Sequence, residues 1–319
     1  MASEQIRPQP GTWPLIAAII VVTGIWMAAA GLSLRWSSAV LPVLTCVGLE
    51  LISAFYRLRR PDRRLAATLT ALAQLIAFTA AAAPLSYAVA AIGGPLWDAT
   101  LLSWDRTLGL DWRAYLAFVD ARPTLGLVYT LAYQSIMAQM VVIVVVLGFS
   151  GRLLVLRDFV LAFVVAGLTV ILISALMPAM AMFVHLGLQP RDFPHLNPAA
   201  AFVHVGALTG LRDGTLRLIA LDQLEGIITF PSFHSALGVI FTHALWSVRW
   251  LRWPALTLNG LLIAATPIDG GHYFVDVFAG GAIAFLAVRA SRFYNRQISS
   301  GTNSVAEGAA DEAGLQVRA

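Results

Sequence analysis

The chain has 319 residues, of which 59% are hydrophobic and 12% charged, and its mean hydropathy is +0.77. Soluble domains carry about 25% charged residues, so this composition excludes an ordinary soluble protein and indicates an integral membrane protein. Cys46 is the single cysteine, which excludes an intrachain disulfide and a zinc–thiolate cluster. Lysine is absent and the net charge is +4, and this charge predicts no nucleic-acid partner.

Apolar runs long enough to cross a bilayer, about 20 residues each, occur along most of the chain. They predict an all-α, polytopic helical membrane protein with about eight transmembrane helices. The first run lacks a strong basic flank and an A-x-A-like cleavage signal, so we expect a retained helix. The last three runs are short, which is typical of helices that begin inside a protein-lined cavity. The predicted spans are residues 13–34, 39–56, 65–91, 124–149, 159–186, 233–248, 253–268 and 272–288.

Arginine positions between the spans predict the orientation, because basic residues concentrate in cytoplasmic loops. With eight spans, the arginine clusters all fall on one side of the membrane. Both termini are therefore predicted to be cytoplasmic in a multi-pass protein of the cell (inner) membrane. The opposite, periplasmic or otherwise extracytoplasmic, face carries the longer connections, where Asp residues dilute the arginines. The cytoplasmic clusters are Arg7; Arg57, Arg59, Arg60, Arg63 and Arg64; Arg152 and Arg157; Arg249 and Arg252; Arg289, Arg292 and Arg296.

Three segments outside the spans have distinct compositions. Residues 97–120 combine tryptophans with Asp and Arg, which predicts a pair of helices in the headgroup layer. The long connection at residues 187–230 contains several apolar stretches and predicts a packed cap. Residues 297–319 are rich in Ser, Gly, Ala and Glu, which predicts a disordered cytoplasmic tail.

A first polar cluster, Phe-Pro-Ser-Phe-His-Ser at residues 230–235, interrupts the apolar sequence. Ionisable residues at membrane depth are costly, so they indicate function. Pro231 is expected in the first turn of a helix, with Ser232 beside the amides that the helix leaves unpaired. An anion is favoured there, and His234 would project beside a bound phosphate and protonate a leaving oxygen.

The second cluster, at residues 270–276, reads Gly-Gly-His-Tyr-Phe-Val-Asp. Gly270 and Gly271 leave room for the close approach of a ligand. We expect His272 and Asp276, four residues apart, to share one helix face, so that the carboxylate orients the imidazole and stabilises its cationic form. The two clusters together predict a phosphoryl-transfer site.

The motif Pro-Ser-x-His, followed about 40 residues later by His-x-x-x-Asp, resembles the type 2 phosphatidic acid phosphatase superfamily of membrane enzymes. The wording Gly-His-Tyr-x-x-Asp-Val resembles the branch that contains inositol phosphorylceramide and sphingomyelin synthases. The resemblance implies a core bundle of that type over about 97–296, a phosphohistidine on His272, orientation by Asp276 and general acid catalysis by His234. The residues predicted to bind substrate are Ser232, Arg191, Gly271 and Tyr273, and no metal or cofactor is predicted.

One feature of the family pattern is missing. The soluble-like members carry Lys and Arg in an upstream motif and another Arg six residues before the nucleophile, where this chain has Thr266. The loss of these cations favours a phosphodiester substrate or replacement by loop arginines. Arg191 is the leading replacement, because it lies between the fifth span and the Pro-Ser-x-His motif.

The predicted function is that of a membrane enzyme at the outer face. It moves a phospho-headgroup or phosphoryl group from a phospholipid or other lipid-linked phosphate ester to a lipid or glycan hydroxyl. The catalytic domain would span residues 1–296, with N-terminal helices within about 13–91. A lipid phosphate phosphatase, with water as acceptor, is the alternative. Three further alternatives are a metal site, an inactive binding scaffold and a lipid transporter. The residues that line a transport pathway should recur through both membrane halves, which argues against the transporter.

Overall fold

The computed structural model describes the backbone of residues 12–316 and their side chains, except those of Pro190 and of residues 298–316. This part of the chain is helical apart from loops and one two-stranded pair. The α-helices are α1 (Thr12–Ala29), α2 (Trp36–Leu58), α3 (Arg63–Ile92), α4 (Asp98–Thr107), α5 (Trp112–Asp120), α6 (Pro123–Gln134), α7 (Ile136–Phe149), α8 (Leu153–Leu176), α9 (Met182–His185), α10 (Ala200–Asp213), α11 (Phe233–Leu245), α12 (Arg252–Asp269) and α13 (Phe274–Gln316). Short 3-10 turns cover Pro190–Asp192 and Leu221–Gln223.

Each of the eight predicted spans contains helix, but several include non-helical residues. The first runs past α1 into β1, the fifth and sixth run past the ends of α8 and α11, and the eighth begins before α13. Among the described residues, five helices are long and apolar enough to cross a membrane, and a bent helix pair makes a sixth if it is counted as one span. The all-α membrane fold is thereby confirmed, and the number of eight spans stays a prediction. The qualifying helices are α1, α2, α3, α8 and the Phe274–Gln297 part of α13, with α6 and α7 as the bent pair.

The predicted fourth span, residues 124–149, is not one continuous helix. It breaks at Ser135 into α6 and α7, which meet at an angle of 49°. The Ser135 hydroxyl donates to the Ala132 carbonyl oxygen at 2.6 Å, and the Ser135 amide donates to the same oxygen at 3.3 Å. Local bonds of this kind compete with the regular helical ladder and accompany bends. The break ends α6 just after Tyr133, beside α11.

The centre of the molecule is a bundle in which α3, α8, α11 and α13 pack together. Phe78 of α3 and Phe163 of α8 meet edge to face with ring centroids 5.6 Å apart. The helix α2 lies outside this bundle, and only 6% of its most apolar stretch of 18 residues is buried. Its leucines point outward, with Leu41 74% and Leu51 66% exposed. Such an apolar exterior is stable against lipid and would be costly in water.

The cap, residues 187–230, is packed as predicted. Phe193, Leu208 and Leu211 are buried in it. Its strand β2 (Leu218–Ile219) pairs in parallel with β1 (Ser33–Leu34), so the cap is hydrogen-bonded to the connection after α1. Residues 97–120 form the predicted helix pair, α4 and α5. Their position in the headgroup layer stays a prediction.

The tail and domain limits stay predictions as well. The helix α13 runs to Gln316, residues 317–319 lie outside the described part, and no side chain beyond residue 297 is described.

The approach of α13 to the start of α11 requires glycine at position 280. A Cβ atom added there would overlap the carbonyl group of Ser232, and a backbone neighbour cannot swing aside as a flexible side chain can. We expect Gly280→Ala to lower the free energy of unfolding by about 1–3 kcal/mol, the usual result of overpacking. Denaturant unfolding in mixed micelles measures this difference in the free energy of unfolding.

The adjacent Gly281 supplies a matched control. Its added Cβ would meet only the Ser235 hydroxyl, at 3.9 Å. Gly281→Ala should therefore leave stability unchanged or raise it by up to about 1 kcal/mol through helix propensity. Equal stability of the two variants would contradict the close packing of α11 against α13.

Candidate active site

The start of α11 is built around Ser232. This residue is the N-cap, is fully buried, and its hydroxyl oxygen accepts from the Ser235 amide at 3.3 Å. The helix begins at Phe233, so the expectation that Pro231 occupies its first turn is wrong; Pro231 precedes the cap. The amides of Phe233 and His234 have no acceptor within the described residues. Unpaired first-turn amides favour an anion.

The second cluster forms the His272 loop, residues 270–273, between α12 and α13. His272 lies before α13 and not on its face, so the predicted helical pairing with Asp276 is wrong in its local geometry. The contact is nevertheless made, because Nδ1 of His272 lies 3.2 Å from Oδ2 of Asp276. The same oxygen accepts from the Tyr273 amide at 2.9 Å, which resembles the reach of a capping-box carboxylate back to the helix start.

The Asp276 side chain is fully buried, and its Oδ1 atom has no hydrogen-bond partner in the described structure. Buried polar atoms are nearly always paired, so an unpaired carboxylate oxygen needs a reason other than stability. The neighbouring His272 is 3% exposed. This pair is therefore held away from water, where a carboxylate stabilises an imidazolium most strongly.

The structure brings the two predicted histidines together. The rings of His234 and His272 have centroids 6.5 Å apart and planes inclined by 55°. His234 also stacks on Tyr133 of α6, with centroids 4.3 Å apart and an interplanar angle of 9°. Two hydrogen bonds connect the starts of α11 and α13 at this point. The Ser232 amide donates to the Asp276 carbonyl oxygen at 3.0 Å. The Ser235 hydroxyl donates to the Val277 carbonyl oxygen at 2.7 Å.

The sequence prediction missed two aspartates of α4 that hold the His272 loop and the start of α13. Asp105 is fully buried and accepts from the amides of Phe274 and Val275, both at 2.9 Å. Asp98 is 4% exposed and accepts from the Tyr273 hydroxyl at 2.8 Å and from the Met180 amide at 3.0 Å.

Burial raises the pKa of Asp105 above its usual range, and the two amide bonds partly offset this. The seven-residue spacing of two acids on one helix face was the available signal.

Two further contacts beside the site were not predicted from the sequence. Thr130 of α6 donates to Oδ1 of Asp269 at 2.7 Å, at the end of α12. Next to it, a Cβ atom at Gly270 would lie 2.7 Å from both the Tyr133 hydroxyl and the His272 ring. The close packing thus explains Gly270 without a ligand.

The residues predicted to bind substrate have different places. Ser232 lies at the site. Gly271 has φ +66°, and an added Cβ would lie 2.9 Å from Ala201 of the cap, so it faces protein. Tyr273 is fully buried with its hydroxyl on Asp98. These contacts show that Gly271 and Tyr273 pack against the cap and α4, and their contact with substrate stays a prediction. Arg191 is exposed and makes no hydrogen bond or ion pair to His234, His272 or Asp276.

The described residues contain no group of three or more His, Cys, Asp or Glu side chains that could hold a metal ion. The metal alternative raised from the sequence therefore has no complete ligand set in this part of the chain.

The fold and the site define a helical membrane protein with a buried His–Asp pair that faces a second histidine. A model of the PAP2 superfamily matches residues 99–290, and the chain belongs to this superfamily. Searches of curated proteins and of solved structures gave no significant match. The match includes every site residue named above except Asp98, which lies one residue before it, and it begins after α1–α3. It supports the predicted superfamily and leaves the synthase-like branch a prediction.

Proposed function

We propose that this protein transfers a phosphorus-containing group from a lipid-linked phosphate ester through a phosphohistidine on His272. Members of the superfamily are typically phosphatases or phosphotransferases, which supports a lipid enzyme at that level. The observation that carries the proposal is the His272–Asp276 contact of 3.2 Å facing the ring of His234. A phosphoryl group between the two imidazoles could contact both, as a nucleophile and a general acid require.

In the first half-reaction, Nε2 of His272 attacks phosphorus and forms a P–N bond. The P–O ester bond breaks, its electron pair stays on the departing oxygen, and His234 gives that oxygen a proton. Asp276 holds Nδ1 of His272, which leaves Nε2 as the attacking nitrogen and stabilises the positive charge that develops on the ring. The hydrogen bond of this imidazole to the Thr229 backbone must give way to the phosphorus atom. The free amides of Phe233 and His234 supply donors for a phosphoryl oxygen.

In the second half-reaction, a hydroxyl oxygen attacks the phosphohistidine while His234, now neutral, accepts its proton. The P–N bond breaks, and His272 returns to its starting form. A lipid or glycan hydroxyl as acceptor makes the enzyme a transferase, and water makes it a phosphatase. The missing family cations and the Gly-His-Tyr-x-x-Asp-Val wording favour the transferase, with lipid phosphatase as the second candidate.

The charge around the site predicts its substrate. No Lys exists in the chain, and no Arg side chain contacts His234, His272 or Asp276 among the described residues. A phosphomonoester carries up to two negative charges, whereas a phosphodiester carries one and is also held through its lipid tails. We therefore expect diester phospholipids to react faster than phosphatidic acid. Purified protein with labelled lipids in mixed micelles tests this, with free phosphate separated from new lipid products.

The same assay tests Arg191. If its exposed guanidinium closes onto the substrate phosphate, Arg191→Ala should weaken kcat/KM by the equivalent of about 1.5–3 kcal/mol, as for a charge-assisted hydrogen bond. Arg122→Ala is the control, because Arg122 is already engaged with the Phe118 ring and carbonyl.

A preference of the unaltered protein for phosphatidic acid, with free phosphate as sole product, would instead support the phosphatase.

We further propose that both termini are cytoplasmic and that the site opens at the outer, extracytoplasmic face. The arginine clusters support this orientation. In a Cys46→Ala background, an impermeant thiol reagent should label Asp222→Cys in intact cells, and Arg60→Cys only after the membrane is opened. The reverse pattern would contradict the orientation.

A further inference from the structure

A cavity of about 370 Å³ lies at the turn between α4 and α5. This is within the range of pockets that bind small molecules or headgroups. His234, His272 and Asp276 do not line it. Its apolar lining includes Leu102, Leu110 and Leu186.

Two arginines, Arg106 and Arg113, also line the cavity. Both are exposed, and neither side chain has a hydrogen-bond or ion-pair partner within the described residues. The cavity contains one carboxylate, Asp111, whose Oδ1 accepts from the Ala114 amide at 3.0 Å as the N-cap of α5. Its charge is thus directed at the helix start and forms no ion pair with either arginine. The cavity therefore offers two unpaired cations beside leucines.

One wall of the cavity is rigid. Trp112 is 2% exposed and packs edge to face on Phe183, with centroids 4.8 Å apart. Its indole N–H donates to the His272 carbonyl oxygen at 3.1 Å. This wall is therefore preformed, so a ligand would have to order only the arginine side chains on binding.

We propose that this cavity binds the headgroup of an anionic phospholipid, separately from the proposed reaction site. The phosphate lies between Arg106 and Arg113, and the glycerol and first acyl carbons lie against Leu102, Leu110 and Leu186. Two guanidinium groups and apolar side chains match a charged phosphate joined to hydrocarbon, and a basic pocket at a membrane surface recognises such lipids. The binding involves no covalent step and does not depend on the proposed phosphohistidine.

The test measures retention of dioleoyl phosphatidylglycerol by the purified full-length protein in detergent, using native mass spectrometry. The double variant Arg106→Gln/Arg113→Gln should bind this lipid on the order of 30-fold more weakly, since each basic residue near a lipid surface contributes about 1 kcal/mol and about 1.4 kcal/mol is a factor of ten. Arg122→Gln, on the same outer segment but already paired with Phe118, should bind normally. Zwitterionic dioleoyl phosphatidylcholine should bind more weakly than the anionic lipid in the unaltered protein.

Repeating the measurement in a His272→Ala background separates this proposal from the proposed function, because no turnover is needed for retention. Millimolar inorganic phosphate should fail to displace the lipid. Displacement would show that the cavity binds free phosphate and would overturn the lipid assignment. Unchanged retention in the double variant, or an equal loss in Arg122→Gln, would overturn the proposal.

Discussion

Replacement of His272 by alanine is expected to lower turnover by roughly 10⁴-fold or more, the scale seen when a catalytic nucleophile is removed. The variant keeps every backbone contact of the His272 loop, including the His272 carbonyl that accepts from Trp112. It removes the atom that would bond to phosphorus. Quench of the unaltered enzyme with labelled lipid should trap an acid-labile phosphorylated histidine, and the variant should give none.

Two controls make the result specific. The unfolding midpoint of His272→Ala in micelles should stay close to that of the unaltered protein. Asp276→Asn should remain folded and impaired, since an amide cannot stabilise the imidazolium as a carboxylate does. Normal activity of His272→Ala would remove the mechanism, and activity that depends on added zinc and disappears with a chelator would point to metal chemistry.

The second large effect is expected at His234. His234→Ala should lower turnover by about 10²–10⁴-fold, the usual contribution of a general acid. The loss should shrink when the leaving group is a nitrophenolate, which departs without a proton. The labelled phosphohistidine on His272 should still form with such a substrate, and this separates the acid from the nucleophile.

His243 provides the matched control for this prediction. It lies on the same helix α11, is half-buried, and is outside the site. His243→Ala should therefore show the same rates with both leaving groups as the unaltered protein. An equal loss for natural and nitrophenyl substrates in His234→Ala would contradict a proton-donating role and indicate a structural one.

Local sequence patterns predicted that His234, His272 and Asp276 lie close together better than they predicted the local structure around them. The pairing of His272 with Asp276 was expected on one helix face, yet His272 lies in a loop and meets the carboxylate because Asp276 reaches back over the first turn of α13. Four-residue spacing gives similar reach in both cases. Sequence alone does not separate them, because the two glycines before His272 allow either a helix or a bend.

What the sequence could not supply are contacts between distant segments. Asp105 and the amide of Phe274 are 169 residues apart, and Asp98 and the Tyr273 hydroxyl are 175 apart. In the sequence these aspartates belong to a polar, interfacial helix, where solvated charge is the ordinary expectation. Their seven-residue spacing places them on one helix face, but their burial depends on how α4 packs on the start of α13, which that spacing does not reveal. The break at Ser135 was missed because the flanking apolar runs are continuous.

The attachment of α4 to the start of α13 bears on how a lipid enters. Asp98 and Asp105 fasten α4 to three consecutive residues, Tyr273, Phe274 and Val275, so the helix and the His272 loop move as one body. Separating α4 from α13 would displace the His272 loop and break buried charge-assisted bonds. We therefore expect any opening for lipid on another wall of the site, such as the α6 side, where Tyr133 stacks on His234. The Tyr133 ring is 8% exposed and packs in the apolar cluster at the site, so its movement would cost apolar packing while leaving the hydrogen bonds that hold His272 in place.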